Sequence, residues 1–267
     1  MRVLALFLAA LAAAIPARAE IRPVPDGLRD ALAAKALLGP DLWARVVRVD
    51  NGGSRGGRPR TVYPKTVYAL VFELSGILWF YCGADGTQSL SLHRGALEAE
   101  KADPGPLLRS ISPGFGTWAW VEPPSGWPTP HPVSPPNACF IDCLAALRQR
   151  IAAGAEVAAP SLLSFYVDTP TGRMGHTVLV FGAGHAREAV DPIRSPVPVP
   201  LPPGLEGDPK AISRYLRGGE VAVARELPVV LPPGLGERQR LVGLPSCAGV
   251  CGASRLSAGE PAHQSLM

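Results

Sequence analysis

The stretch from Thr66 to His93 most constrains what this chain can fold into. "TVYALVFEL" (Thr66 to Leu74) is followed by the two-residue turn Ser75-Gly76 and by "ILWFYC" (Ile77 to Cys82). A turn from Gly83 to Gly86 then leads into "TQSLSLH" (Thr87 to His93). Runs rich in aromatic and β-branched residues, separated by short turn signals, predict an antiparallel meander with at least one buried face. Such a sheet needs a covering layer. Upstream, "DGLRDALAAKALLGPDLWARVVRVD" predicts a helix closed near Gly39-Pro40 and a strand from Ala44 to Val49. Downstream, "RGALEAEKADPGPLLRSI" predicts a short helix interrupted at Pro104, with a further strand around Trp118 to Val121.

The organisation changes after the proline-rich run that leads to "PPNACFIDCLAALRQRI". Asn137 is a helix N-cap by residue type, and apolar Phe140, Leu144, Leu147 and Ile151 fall on one face of a helix from Ala138 to about Ala153, closed by Gly154. Strands are expected at Ser161 to Asp168, Gly175 to Phe181 and Arg187 to Pro192. "IRSPVPVPLPPGLEGDP" reads as extended and polyproline-like, followed by a short helix from Ala211 to Arg217 and one more strand within "EVAVARELPVVLPPG". Helix followed by antiparallel strands is an α+β arrangement. We expect an N-terminal α+β region with the meander over residues 20–128, a second unit over 129–240 and a poorly ordered tail over 241–267.

Residues 1–19, "MRVLALFLAALAAAIPARA", have a basic start, an apolar run, a helix-breaking Pro16 and a small-x-small ending. This layout predicts a secretory signal peptide, too short to span a membrane. The expectation is therefore an exported protein, periplasmic or extracellular, with no transmembrane segment after signal removal. Loss of Arg2 and Arg18 would lower the formal net charge of +4 by two. The remaining basic residues are mostly arginines scattered among loops, which argues against a nucleic-acid partner. Export favours disulfides, but five cysteines leave at least one thiol unpaired in a monomer.

Cys139 lies in the first turn of its helix, where free N–H groups and the helix dipole favour a thiolate; Cys143 sits one turn deeper and gains less. A thiol nucleophile needs an imidazole to move its proton and a third group to orient that imidazole. His176 opens an apolar strand, and Asp191 closes the next one, so the hairpin returns Asp191 beside His176.

A cysteine at a helix N-terminus, "GH" opening a strand and aspartate in "VDP" at the end of the next strand resemble the papain-like core of the transglutaminase-like and bacterial cysteine-peptidase superfamily. The likeness covers roughly residues 137–192. It implies a helix packed on an antiparallel sheet, with Cys139 as nucleophile, His176 as general base and acid, and Asp191 as orienting residue. It also implies acyl transfer through a thioester, on an amide bond of a peptide, protein or peptidoglycan stem, with no cofactor. Papain-like enzymes often place a glutamine before the nucleophile in the oxyanion hole. Gln88 precedes Cys139 and is the candidate.

Other motifs have plainer readings. Gly52 to Gly56 matches G-x-S-x-G, but it is not followed by a helix, as a nucleophile elbow requires. Cys247 and Cys251 have no second pair or histidine cluster to make a metal site with them, and His93, His131, His185 and His263 show no metal-ligand spacing. Trp79, Trp118, Trp120 and Trp127 fit core packing, or a groove for peptide or glycan. The alternative to an enzyme is a non-catalytic exported binding or structural domain that retains the papain-like fold.

Overall fold

The computed structural model describes residues 25–51, 63–90, 97–123, 133–169, 172–182 and 186–230. Residues 1–19, expected to be a signal peptide, the Gly52 to Gly56 stretch, His93, Trp127, His131, His185, the residues 241–267 and the pair Cys247 and Cys251 lie outside them. The fold is α+β with two five-stranded antiparallel sheets.

The first sheet is built around the meander. β1 (Ala44–Asn51), β2 (Thr66–Leu74), β3 (Ile77–Cys82), β4 (Gly86–Ser89) and β5 (Phe115–Val121) stand in the order β4-β3-β2-β1-β5. The β2–β3 turn has φ of 54° at Ser75 and 73° at Gly76, the two positive values that match a tight hairpin to the twist of its strands. Three helices belong to this half: α1 (Asp26–Leu38), α2 (Leu97–Ala102) and α3 (Gly105–Ile111). Pro104 stands at the N-cap of α3, so the expected interruption separates two short helices.

α4 (Cys139–Ala152) leads into the second sheet, made of β6 (Ser161–Thr169), β7 (Gly172–Phe181), β8 (Glu188–Asp191), β9 (Ser195–Pro200) and β10 (Val221–Pro228), in the order β10-β6-β7-β8-β9. α5 (Pro209–Arg217) precedes β10 and is capped by Asp208, whose side chain accepts from the Ala211 N–H. The polyproline-like expectation at "SPVPVP" is corrected: β9 pairs with β8, matching Ala189 with Val199 and Asp191 with Ser195. Proline at every second position removes N–H groups from one side only, which an edge strand tolerates because that side meets no neighbour.

Both sheets are covered on both faces at their centres, and strict alternation of polar and apolar residues is therefore blurred in their central strands. One apolar cluster runs from Leu70, Phe72 and Tyr81 of the first sheet through Leu32 of α1 and Ile141 and Leu144 of α4 to Leu162 and Leu179 of the second. Phe140 connects it to the meander, with ring centroids 4.7 Å from Trp79 and 6.3 Å from Phe72. Two outer clusters close the far faces: Val71, Phe80 and Phe115 with Leu108 and Ile111 of α3, and Phe165, Val178 and Val180 with Ile212 of α5. Arg148 fastens α4 to the end of α1 by donating from Nη1 to the Leu37 carbonyl and from Nη2 to Asp41, both at 3.2 Å. This bond satisfies a carbonyl that the end of α1 leaves unpaired.

Candidate functional site

The N-terminus of α4 is positioned by the first sheet. Asn137 does not cap the helix: it has φ of 56°, and its amide donates instead to the Gly83 carbonyl at 2.7 Å. Ala138 occupies the N-cap without a side-chain bond. Tyr81, on the face of β3 that looks toward α4, donates its hydroxyl to the Pro136 carbonyl at 2.7 Å. Ser134 donates to Asp142 at 2.7 Å across the first turn of the helix. Three side chains thus fix the loop that delivers Cys139.

The second sheet meets that thiol at β7. The β7–β8 register ends at Leu179 opposite Val190, so Thr177 lies beyond the last β8 pair. α4 packs against this part of β7: the Cys143 thiol donates to the Thr177 carbonyl at 3.4 Å. The Cys139 sulfur is faced by the Thr177 hydroxyl, the Thr177 N–H and the Phe140 N–H. Cys143 is fully buried, whereas Cys139 is half-buried.

His176 and Asp191 come together. His176 Nε2 lies 2.7 Å from Asp191 Oδ2, with the two side chains 11% and 17% exposed, and the ring meets Phe165 edge-on at 5.7 Å between centroids. The other carboxylate oxygen of Asp191 accepts from the Ile193 and Arg194 amides at 3.2 and 3.3 Å, which fixes it at the end of β8. The glycine of the "GH" pair has a steric cause: a Cβ on Gly175 would come within 2.9 Å of the Tyr166 ring. His176 faces the Phe165 side of the sheet, and Thr177, next in the strand, faces α4.

Burial governs both titrating groups. It pushes the Cys139 thiol up, against the Thr177 hydroxyl, the Thr177 N–H and the Phe140 N–H, which favour the thiolate; Asp142 adds to the rise. The acidic thiol expected from helix position alone is therefore not what its surroundings make. Burial likewise pulls the His176 imidazole below its ordinary value, opposed by the Asp191 hydrogen bond and reinforced by Arg217 and Arg194. Burial thus favours the neutral form of both groups.

Gln88 is placed elsewhere. It pairs with Phe80, which belongs to the outer cluster of the first sheet, so it projects away from α4. Its amide is hydrogen-bonded to Asp85, which also accepts from the Tyr63 hydroxyl at 3.1 Å. Sequence reasoning passed over Thr177, Tyr81 and Ser134. A polar residue inside "HTVLVF", on the face shared with Leu179, was the signal available for Thr177.

Among the described residues, no three or more His, Cys, Asp or Glu side chains form a group that could hold a metal ion, and no helix is long and apolar enough to cross a membrane. No family model, curated protein or solved structure matches the chain.

Proposed function

We propose that the chain is a papain-like, cysteine-dependent hydrolase or acyltransferase that acts on an amide bond. The observation that carries this reading is the His176–Asp191 hydrogen bond one residue from the strand backbone that contacts Cys139. Asp191 engages Nε2 and leaves Nδ1 as the nitrogen that handles the thiol proton. His176 lies on the Phe165 face of β7 and Cys139 meets the strand from the α4 side, so this reading requires the imidazole and the sulfur to meet around the edge of β7 that β8 leaves unpaired at Thr177. Catalytic hydrogen bonds commonly tighten only in the substrate complex.

The surroundings of the two groups suit general-base rather than ion-pair chemistry. Nδ1 takes the proton as the Cys139 sulfur attacks the amide carbonyl. The oxygen of the tetrahedral intermediate is stabilised by the Cys139 N–H at the helix start, a donor with no partner inside the helix. Collapse of the intermediate breaks the C–N bond, and His176 returns the proton to the leaving amine, giving a thioester. Water or a second amine then attacks the thioester with His176 again as base. A peptide, protein or peptidoglycan stem substrate, and an exported location, agree with the apolar leader and the family resemblance.

A second reading, a non-catalytic binding or structural domain with the same fold, is favoured by one observation: burial raises the Cys139 thiol instead of lowering it. The two are separated by incubating the protein with peptide amides and measuring its intact mass. The enzyme accumulates a thioester adduct that maps to Cys139, is absent in Cys139→Ala and persists in Cys143→Ala. Failure to form any adduct, together with no amine release from peptides or stem fragments, favours the binding domain.

A further inference from the structure

Two arginines that the reaction above does not use border the His176–Asp191 pair. Arg194 places Nε 3.9 Å from Asp191 Oδ2 and has a side chain 62% exposed. Arg217, the last residue of α5, stands with its guanidinium carbon 6.0 Å from the centroid of Phe165, the ring that His176 also meets. Its Nη1 is buried and has no hydrogen-bond partner among the described residues. A guanidinium donor taken out of water with nothing to receive it is costly, and its presence beside a reacting pair calls for an acceptor.

Asp191 is not that acceptor in full. One of its oxygens is bonded to His176 and the other to two backbone amides. Two guanidinium groups therefore face one carboxylate and a neutral imidazole, leaving surplus positive charge. This face is open: Met174, two residues before His176 on the same side of β7, is 48% exposed. A guanidinium presents paired N–H groups in a planar fork that a carboxylate fits, which an ammonium would not do.

We propose that Arg217 and Arg194 form a carboxylate-binding subsite beside the dyad, so that the preferred substrate carries a free carboxylate close to the amide that is cleaved. The proposal rests on the cysteine-enzyme reading and names its substrate class. The carboxylate belongs either to a chain terminus or to an acidic side chain.

The first test compares alkylation of Cys139 by iodoacetate and iodoacetamide above pH 6.5. In both, sulfur displaces iodide from carbon and loses its proton. Steering by the arginines makes iodoacetate the faster reagent by roughly tenfold. Read as the ratio of the iodoacetate to the iodoacetamide rate, that preference is abolished in Arg217→Gln, kept in part in Arg217→Lys and reduced in Arg194→Gln, which is exposed and safe for folding. Equal rates for both reagents, unmoved by any of these variants, overturn the subsite and leave the cysteine reading standing. If iodoacetamide itself fails to label Cys139 in the native protein, the cysteine reading falls and takes the subsite with it. Matched peptides then separate the two sources. Amidating the terminus raises KM if that carboxylate is bound, and replacing Glu by Gln does so if a side chain is bound. Indifference to both changes contradicts the proposal.

Discussion

The two sheets share strand number, antiparallel pairing and apolar cover on both faces at their centres, yet only one carries the candidate site. In the first sheet β2 runs past its pairing with β3, which ends at Leu70, and the polar group nearby, Tyr63, Asp85 and Gln88, bonds within itself. In the second, β7 continues past the end of its pairing with β8. That mismatch leaves strand backbone for the helix N-terminus to approach and places His176 and Asp191 where they can meet. What distinguishes the second sheet is the His176–Asp191 hydrogen bond at its uneven end. The first sheet instead acts as a clamp, holding the Cys139 loop through Tyr81 and Gly83.

The comparison breaks most easily at the thiol. Cys139→Ala should abolish amide cleavage, while Cys143→Ala, a buried residue, should retain activity and lose stability; rates and urea unfolding of both variants check this. Asp191→Asn should lower the rate by about 10²–10⁴-fold, the usual worth of general acid–base catalysis, with the fold kept as judged by circular dichroism. Leu144→Ala, in the cluster common to both sheets, should cost about 2–5 kcal/mol in urea unfolding, enough to show whether the two halves unfold as one transition. Tyr81→Phe should cost only about 1 kcal/mol but slow cleavage by loosening the Cys139 loop. Gln88→Ala should leave the rate within about twofold of wild type, a change below the ~1.4 kcal/mol that a tenfold effect represents. A large loss of rate there would mean that the closed face of the first sheet takes part in the chemistry.

Much of this difference was legible in the sequence. The meander, the break at Pro104 and α4 all announce themselves through residue type and spacing. The approach of Asp191 to His176 was legible too, because a hairpin fixes its own register. Three things were not. Asn137 has the residue type of a cap, but Gly83, far away in sequence, offers it a carbonyl. "SPVPVP" looks unable to join a sheet until β8 supplies a partner on the side where N–H groups remain. The thiol's acidity depends on burial between two sheets, which position in a helix does not reveal. In each case the deciding group comes from another part of the chain.

The pH dependence of folding sharpens the picture of a buried neutral imidazole. His176 is held below its ordinary value of 6.5, mainly by burial. The unfolded chain therefore takes up the proton more readily than the native one. This contribution to stability is complete above about pH 6.5 and is lost as pH falls through the native value. His176→Gln should flatten that part of the stability profile.

The most direct measurement is the rate of Cys139 alkylation by iodoacetamide in the folded protein across pH, mapped by mass spectrometry and repeated with His176→Ala. A neutral imidazole acting as base predicts labelling of Cys139 well ahead of Cys143, slowed clearly by His176→Ala near neutral pH. Labelling that begins only at alkaline pH and is identical in the variant would contradict the coupling of Cys139 to the His176–Asp191 pair.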